Sequence, residues 1–550
     1  MRTLITCVRR TGWLSVCQGA IVTGLCAGSA VAAEAPAPAP SASNPTVLYI
    51  GSSCIGNQVP MMLSQLAAAT TPPITIHGRL YLRGAHGLPR HWERPSQPAK
   101  MGNLLSYIRY PDLPRPGLTA RTLATWGGER RADFGILDAY GQQYDEDELY
   151  FWIRLYRQAL VKRGVKPIIY LCHIGGPGFT VNFLYPFKSE AEGLAKLEKA
   201  NAACVRVAAE LDLEVAPSHL ACYKVKRARP DLPLDLVGSP DRDHAGQRGY
   251  YLEACTIYSV LFNRSPEGLP VRTIYMKPPD PNLNETVGAG QVTLAEDEAR
   301  FLQRTAWESV QEFRQMVAEH KAALAAGRAQ PLAPTVKPRI LVIGAPFDDT
   351  IRDASKKLVT GFRSALQERV KRQTGMDVVF APGGPCAAGE ALIELDDCLG
   401  DQKWALVAFG WGARELAQQM PPAEYEKNLR ALLAKLEQNG SPLCWTGFLP
   451  VTPQKPPDLT MREMELDTLT NVSVGRDAGP LMAVAERVLQ EHGLALDPAY
   501  EENVADFFTP GGRPAERVLT KADWVQLAGW LAESLGRRMS AVPSSPPRAE

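Results

Sequence analysis

Residues 47–57 read VLYIGSSCIGN, and this stretch decides how the chain begins to fold. The apolar run at residues 47–50 predicts a buried strand, and a glycine ends it. Residues 59–69 place apolar side chains at helical spacing, so the chain is expected to turn sharply from strand into helix. That turn puts Ser52 and Ser53 at the carboxyl end of a strand, beside a helix N-terminus.

The alternation of strand and helix continues to about residue 325. Further strands are expected at residues 74–82, 134–137 and 167–172, and helices at residues 146–162, 189–211, 246–262 and 294–325. Such alternation is typical of an α/β three-layer sandwich, with a parallel sheet between two helical layers. Sheets of this kind bind ligands beyond the carboxyl ends of their strands.

The pattern of strand, turn and helix then starts again. Residues 339–346, RILVIGAP, repeat the form of the first strand and turn, and a long helix is expected at residues 351–372. Residues 404–412 predict another middle strand. We therefore predict a duplicated fold, with a first domain at residues 46–325, a linker at 326–337, a second domain at 338–540 and a disordered tail at 541–550.

Composition excludes several classes of protein. Of 550 residues, 45% are hydrophobic and 22% charged, which is ordinary for a globular chain and unlike a disordered or polytopic membrane protein. Sixty basic and 59 acidic residues give a net charge of +1, so no nucleic-acid partner is expected. Eleven cysteines are too few for a disulfide scaffold, and several are expected to be buried thiols.

The first 33 residues have the order of a secretory signal. Arg2, Arg9 and Arg10 precede an uncharged stretch that ends in AVAA, and its glycines and polar residues make it a poor permanent anchor. We predict a signal peptide at residues 1–33 and an Ala/Pro-rich tether at residues 34–45. The mature protein is expected in the periplasm or outside the cell, with no stable membrane span after cleavage.

A second short segment has the residues for catalysis. Residues 241–252 read DRDHAGQRGYYL, with Asp241 three residues before His244 on a loop that enters a helix. The carboxylate can hold one ring nitrogen while the other faces a hydroxyl. Each segment alone also has a simpler interpretation: Gly-Ser-Ser is common in turns, and Asp-x-x-His could be a solvated capping loop.

Together these segments resemble the SGNH/GDSL hydrolases. The first block of that family matches residues 50–53, with Ser52 where Asp or Asn is usual, and its last block matches Asp241 and His244. Residues 84–92, GAHGLPRHW, look like its second block. The segment from His244 to Pro266 is similar to the ending of an exported bacterial branch, and the resemblance covers residues 46 to about 320. It implies a flavodoxin-like sandwich.

The resemblance also implies a serine-esterase mechanism. Ser53 would attack the ester carbonyl, His244 would take the proton of its hydroxyl, and Asp241 would orient the imidazole. The backbone N–H groups of Ser53 and Gly84 would bind the oxyanion. The third block is not matched, because the middle strand is followed by residues 138–143, DAYGQQ. Gln142 or Gln143 could supply the missing amide, whereas Asp138 could donate only if protonated.

The remaining candidate residues point to substrate rather than to a cofactor. We expect His91, Trp92 and Tyr140 to contact the substrate, and Trp152 to complete an aromatic rim suited to a carbohydrate ester. His86 and His91 have no third ligand nearby, and the glycines of residues 288–293 do not fit a dinucleotide motif. We predict no metal and no cofactor, with a small-molecule or polysaccharide ester as partner.

The second half of the chain lacks these groups. Ala345 and Pro346 stand where the nucleophile would be, Gly410 stands at the amide position, and the one histidine after His320 is His492. We interpret residues 338–540 as a decayed duplicate. The sequence therefore predicts an exported esterase that acts through its first domain. The alternative is a non-catalytic carbohydrate-binding or assembly protein built on decayed SGNH domains.

Overall fold

The structure is a computed structural model that describes part of the 550-residue chain. The described residues are 44–52, 54–55, 58–82, 87–93, 132–172, 190–232, 234, 245–276, 290–332, 337–344, 351–352, 358–359, 362–381, 388–411, 415, 419–447, 452–453, 472–473, 479–495, 497–498, 503 and 521–541. The predicted signal peptide at residues 1–33 lies outside them, as do residues 542–550 of the predicted tail. Among the helices of the described part, none is long and apolar enough to cross a membrane.

The first half of the chain forms a parallel five-stranded sheet with the order β2-β1-β3-β4-β5. Its strands are β1 (Thr46–Gly51), β2 (His77–Leu82), β3 (Phe134–Asp138), β4 (Lys166–Leu171) and β5 (Glu214–Pro217). The strand order reverses at β1, which lies between β2 and β3. In an open α/β sheet this reversal opens a crevice at the carboxyl ends of the two inner strands.

Among the described residues of the first half there are seven helices: α1 (Gln58–Ala68), α2 (Leu88–Glu93), α3 (Glu146–Val161), α4 (Glu190–Leu211), α5 (Ser218–Ala228), α6 (Gln247–Phe262) and α7 (Glu296–Ala325). Alternate residues of β1 face opposite helical layers. Val47 and Tyr49 pack with α1 and α6, and Leu48 and Ile50 pack with α3. Each large apolar side chain buried in this way stabilises the fold by about 1.5–3 kcal/mol. The predicted α/β sandwich is therefore confirmed.

The second half forms a parallel four-stranded sheet with the order β11-β8-β12-β13. Its strands are β8 (Arg339–Ile343), β11 (Asp377–Phe380), β12 (Leu406–Phe409) and β13 (Leu443–Trp445). The order second, first, third, fourth is the order of the first four strands of the first sheet. Two parallel sheets with this shared order agree with the predicted duplication.

The part of the second half that the structure describes has five helices: α8 (Phe362–Thr374), α9 (Ala388–Leu399), α10 (Pro422–Asn439), α11 (Gly479–Glu491) and α12 (Lys521–Ala541). Short strands within the described ranges form antiparallel pairs: β6 (Thr273–Met276) with β7 (Gly290–Thr293), β9 (Ile351–Arg352) with β10 (Leu358–Val359), and β14 (Thr452–Pro453) with β15 (Val472–Ser473).

The prediction of one long helix at residues 351–372 was wrong. Its first part forms the β9–β10 pair, and α8 begins at Phe362. The sequence contains the physical reason, since Val359 and Thr360 are β-branched and Gly361 is a poor helix former.

The two halves share one hydrophobic cluster. Leu155 and Tyr156 of α3 belong to the same buried group as Leu395 of α9 and Leu432 of α10, and Phe151 packs edge-to-face on Trp404 at 5.7 Å. Helix α7 ends at Ala325, and β8 begins at Arg339. The second half is thus packed directly on the helical layer of the first.

Candidate active site at the edge of the first sheet

The carboxyl ends of β1 and β3 meet at the reversal of strand order. Ile50 pairs with Leu137 in register, so Gly51 lies beside Asp138. A Cβ on Gly51 would fall 2.3 Å from Cβ of Asp138 and 2.9 Å from its Oδ2. Because a side chain does not fit there, the glycine allows Asp138 to lie directly against the end of β1.

Asp138 holds the residue that follows this glycine. Ser52 donates its backbone N–H to Oδ2 of Asp138 at 2.9 Å and its hydroxyl to the same oxygen at 2.7 Å. The other carboxylate oxygen, Oδ1, accepts the backbone N–H of Tyr140 at 3.1 Å. Ser52 Oγ in turn accepts the backbone N–H of Cys54 at 3.1 Å. This turn is therefore fixed on both sides of Ser53, which itself lies outside the described residues.

Helix α2 also bonds to the end of β1. Nε2 of His91 lies 2.7 Å from the carbonyl oxygen of Gly51. A carbonyl oxygen can only accept, so Nε2 carries the proton of this bond. His91 is 1% exposed, and its neighbour Trp92 is also 1% exposed and packs edge-to-face on Tyr156 at 5.2 Å. In this structure His91 is a buried hydrogen-bond donor to the end of β1, and Trp92 is a core residue.

Gln142 lies on a 3₁₀ turn, Gln142–Tyr144, and its side chain lies beside Gly87, the residue before α2. Both polar ends of its amide lie 2.7 Å from the position that a Cβ on Gly87 would occupy. Within the described part of the chain, its Oε1 is buried and has no hydrogen-bond partner. Gln143, the alternative source of an amide, is 1% exposed and points into the protein. Of the two, Gln142 is the amide that lies beside Gly87.

Burial governs the charge of Asp138. The carboxyl is fully buried, and burial raises its pKa to about 6, against the lowering effect of the bonds from Ser52 and Tyr140. The nearby carboxylate of Glu253 also raises the pKa of Asp138. Both of its oxygens accept hydrogen bonds, three in all, so Asp138 is placed as an acceptor and not as a donor for an oxyanion.

Cys54 follows the candidate nucleophile and is a buried side chain. It is 1% exposed, and burial raises the pKa of its thiol. The thiolate is the nucleophilic form, so this environment keeps Cys54 unreactive. The other described cysteines from the predicted mature chain are buried too: Cys172, Cys204, Cys222, Cys255, Cys398 and Cys444.

Helix α6 runs from the carboxyl edge of the sheet to the amino edge. In the first half of the helix, Glu253 lies close enough to Tyr170, whose strand position pairs with Asp138, to add to the rise that burial causes in the pKa of that tyrosine. At its end, Asn263 accepts a hydrogen bond at 2.6 Å from Arg314, which also bonds to Glu214, the first residue of β5. The first residues of α6 therefore lie at the same edge as Ser52.

Several predicted site residues lie outside the described residues: Ser53, Gly84, Asp241 and His244. Among the residues predicted to contact substrate, Tyr140 is half-buried, whereas His91, Trp92 and Trp152 are buried. Sequence reasoning missed the hydrogen bonds that Ser52 donates to Asp138, and it missed Glu253. A charged residue inside the apolar run YYLEACTIYSVLF was the available signal for Glu253.

At the equivalent edge of the second sheet, a glycine stands where Asp138 stands in the first sheet. Ile343 pairs with Phe409, so Gly344 lies beside Gly410, at the places that Gly51 and Asp138 occupy in the first sheet. A Cβ on Gly344 would fall 2.0 Å from the carbonyl oxygen of Gly410. Here backbone packs on backbone. Among the described residues of the whole chain, no cluster of three His, Cys, Asp or Glu side chains could hold a metal ion.

No protein-family model and no curated protein matches the sequence. Similar solved structures include a candidate SGNH hydrolase from Slackia heliotrinireducens, at 16% identity and a TM-score of 0.26, over 40% of this chain and 100% of that one. A catalytic mutant of Axe2, an acetylxylan esterase from Geobacillus stearothermophilus, has 15% identity and a TM-score of 0.25, over 37% and 94%. The lipase/acylhydrolase from Enterococcus faecalis has 16% identity and a TM-score of 0.24, over 36% and 96%.

Proposed function

We propose that this chain is an exported serine esterase that hydrolyses carboxylic esters at the carboxyl edge of its first sheet. The observation that supports this most directly is the fixed turn at the reversal of strand order. Asp138 and His91 bond to Ser52 and Gly51, and the next residue is Ser53. A nucleophile needs such a rigid turn at a sheet edge in order to meet a carbonyl in one orientation.

The direction of α6 supports His244 as the base. Ala245 and Gly246 immediately precede this helix, and α6 begins at the edge where Ser52 lies. His244 is one residue before Ala245, so we propose that it acts at this edge. Asp241, three residues earlier, would accept a hydrogen bond from the other ring nitrogen and stabilise the imidazolium that forms.

The reaction follows from these roles. His244 takes the hydroxyl proton as Ser53 attacks the ester carbonyl, and the tetrahedral oxyanion is bound by the N–H groups of Ser53 and Gly84 and by the amide of Gln142. Collapse releases the alcohol, which receives the proton from His244. Water then attacks the acyl-enzyme by the same route and frees the acid.

For the substrate we propose acetyl esters of carbohydrates. The predicted export would bring the enzyme to polysaccharides outside the cytoplasm, and half-buried Tyr140 is a described aromatic residue beside the turn that could face a sugar. A small acyl group requires little room beyond the oxyanion hole. The comparison of acetylated xylan with a longer-chain p-nitrophenyl ester tests this part of the proposal separately from the chemistry.

The experiment for the chemistry is fluorophosphonate labelling of the purified chain, with p-nitrophenyl acetate turnover measured in parallel. We expect labelling of the wild type and none of Ser53→Ala, with kcat/KM lower by roughly a thousandfold or more in Ser53→Ala and His244→Ala. The matched control is Ser64→Ala on α1, whose hydroxyl bonds to the carbonyl of Pro60 and should not affect labelling. A wild type that is not labelled, or labelling that survives in Ser53→Ala, would favour the non-catalytic alternative.

A further inference from the structure

A residue of the second half of the chain bonds to the first turn of α3. Arg339, the first residue of β8, donates from Nη2 to Oδ2 of Asp147 at 2.6 Å and to Oε1 of Glu148 at 2.8 Å. Only 2% of Arg339 is exposed. Two of the three acids in the first turn of this helix therefore bond to a strand of the other half.

Further contacts fix the direction of this guanidinium. It lies 4.1 Å from the ring centre of Phe151, and the backbone N–H of Lys337 donates to Oδ1 of Asp147 at 2.7 Å. Glu148 also accepts from the indole N–H of Trp152 at 2.8 Å. A planar guanidinium that bonds to two carboxylates and stacks on a ring has little freedom to move. Because β8 is an inner strand of the second sheet, this anchor is rigid.

The 3₁₀ turn that contains Gln142 leads directly into the first turn of α3. Asp145 donates its N–H to the carbonyl of Gln142 at 3.0 Å, and its side chain caps the helix by accepting from the N–H groups of Asp147 and Glu148. At the other end, Gln143 donates its N–H to Ala139, just after β3, at 3.1 Å. The Gln142 turn is thus held between β3 of the first half and, through the helix cap, Arg339 of the second.

We propose that Arg339 is a positioning residue for the oxyanion-binding amide of Gln142. This inference rests on the proposed esterase function. It gives the second half a role in the reaction, although at the edge of its own sheet Gly410 stands where Asp138 stands in the first sheet. A movement of the α3 first turn would displace the amide from the developing charge while leaving the nucleophile and the base in place.

The test is Arg339→Gln in the full chain, with Arg163→Gln as the matched control. Arg163 follows the other end of α3 and bonds to buried Asp397 of the second half, so its loss also breaks an ion pair between the halves. We expect Arg339→Gln to lower kcat for p-nitrophenyl acetate about tenfold with KM nearly unchanged, since an oxyanion contact acts mainly in the transition state. Arg163→Gln should leave kcat within about twofold of the wild type.

Two further variants keep the test decisive if Arg339→Gln folds poorly. Arg339→Lys keeps the charge but not the planar fork, and Glu148→Gln removes one of the two ion pairs, so each should lower kcat by an intermediate amount. Folding of every variant is checked by circular dichroism and thermal melting. Equal kcat in folded Arg339 variants and Arg163→Gln would overturn the positioning role while leaving the esterase intact. A wild type without Ser53-dependent turnover would overturn both.

Discussion

The two sheets of this protein have the same strand order over four strands but different residues at their carboxyl edges. In the first sheet, Gly51 lies beside Asp138, whose carboxylate bonds to Ser52. In the second sheet, Gly344 lies beside Gly410, and backbone packs on backbone. The shared topology forms the same kind of carboxyl edge in both sheets. The side chains at that edge decide whether it can carry out a reaction.

The largest effect should come from filling the space at the two glycines. Gly51→Ala would force Cβ into Asp138, and Gly344→Ala would force it into the carbonyl of Gly410 at a backbone φ of 73° that disfavours side chains. We expect each to destabilise the fold by about 3 kcal/mol or more. Only Gly51→Ala should also lower turnover per folded molecule, measured by active-site titration against the folded fraction. Equal losses of turnover in the two variants would remove the functional distinction between the edges.

Removal of the carboxylate is expected to have the next largest effect. Asp138→Ala leaves the N–H groups of Ser52 and Tyr140 buried without an acceptor, which costs about 1–3 kcal/mol for each group and loosens the turn before Ser53. We expect kcat to fall about a hundredfold. The control in the second half is Thr446→Ala, which removes a side-chain bond to the carbonyl of Phe409 and should change stability by about 1 kcal/mol without changing kcat. Full activity in Asp138→Ala would contradict the proposed role of the carboxylate.

The pH dependence of stability provides a smaller effect that is specific to the first edge. The pKa of Asp138 rises from an ordinary value of 3.8 to about 6 on folding, so the folded state binds this proton more tightly. The resulting stabilisation is fully present below pH 3.8 and is lost as the pH rises through 6. Asp138→Asn removes this titration. Denaturant unfolding of both proteins from pH 4 to 7 should show a difference that changes by roughly 1–3 kcal/mol; parallel curves would show that the carboxyl does not titrate in this range.

The smallest effect is expected at Cys54, next to the candidate nucleophile. Its buried thiol has a raised pKa and no proposed role in the reaction. Cys54→Ala should therefore keep kcat within about threefold of the wild type and should keep fluorophosphonate labelling, with a packing loss of about 1 kcal/mol. Loss of labelling in a folded Cys54→Ala protein would mean that the thiol, rather than Ser53, reacts.

Much of the architecture could be predicted because its signals are local. The apolar run before Gly51 is β1, and the amphipathic spacing at residues 146–162 is α3, which spans Glu146–Val161. The error at residues 351–372 arose from reading helical spacing across β-branched residues and a glycine. The β9–β10 pair depends on cross-strand bonds, which a helical pattern does not indicate.

The candidate site was predictable only in part. The sequence suggested Ser53, His244 and Asp241 through a resemblance, and left Gln142, Gln143 and Asp138 open as sources of the missing amide. The structure separates these three by their surroundings: Asp138 is an acceptor for Ser52, Gln143 is buried, and the Gln142 amide lies at Gly87. The sequence did not indicate the burial of Trp92 and Trp152, which were expected at an aromatic rim but pack inside the protein.

The sequence alone determined that this chain forms α/β layers twice, because hydrophobic period and glycine position act over a few residues. It also determined which half contains a serine, a histidine and an aspartate at a suitable spacing. Only the tertiary structure decided that Asp138 would bond to Ser52 across 86 residues of chain, and that Arg339 would reach Asp147 across 192. Such contacts depend on strand register and on the packing of one half against the other, and a single stretch of sequence specifies neither.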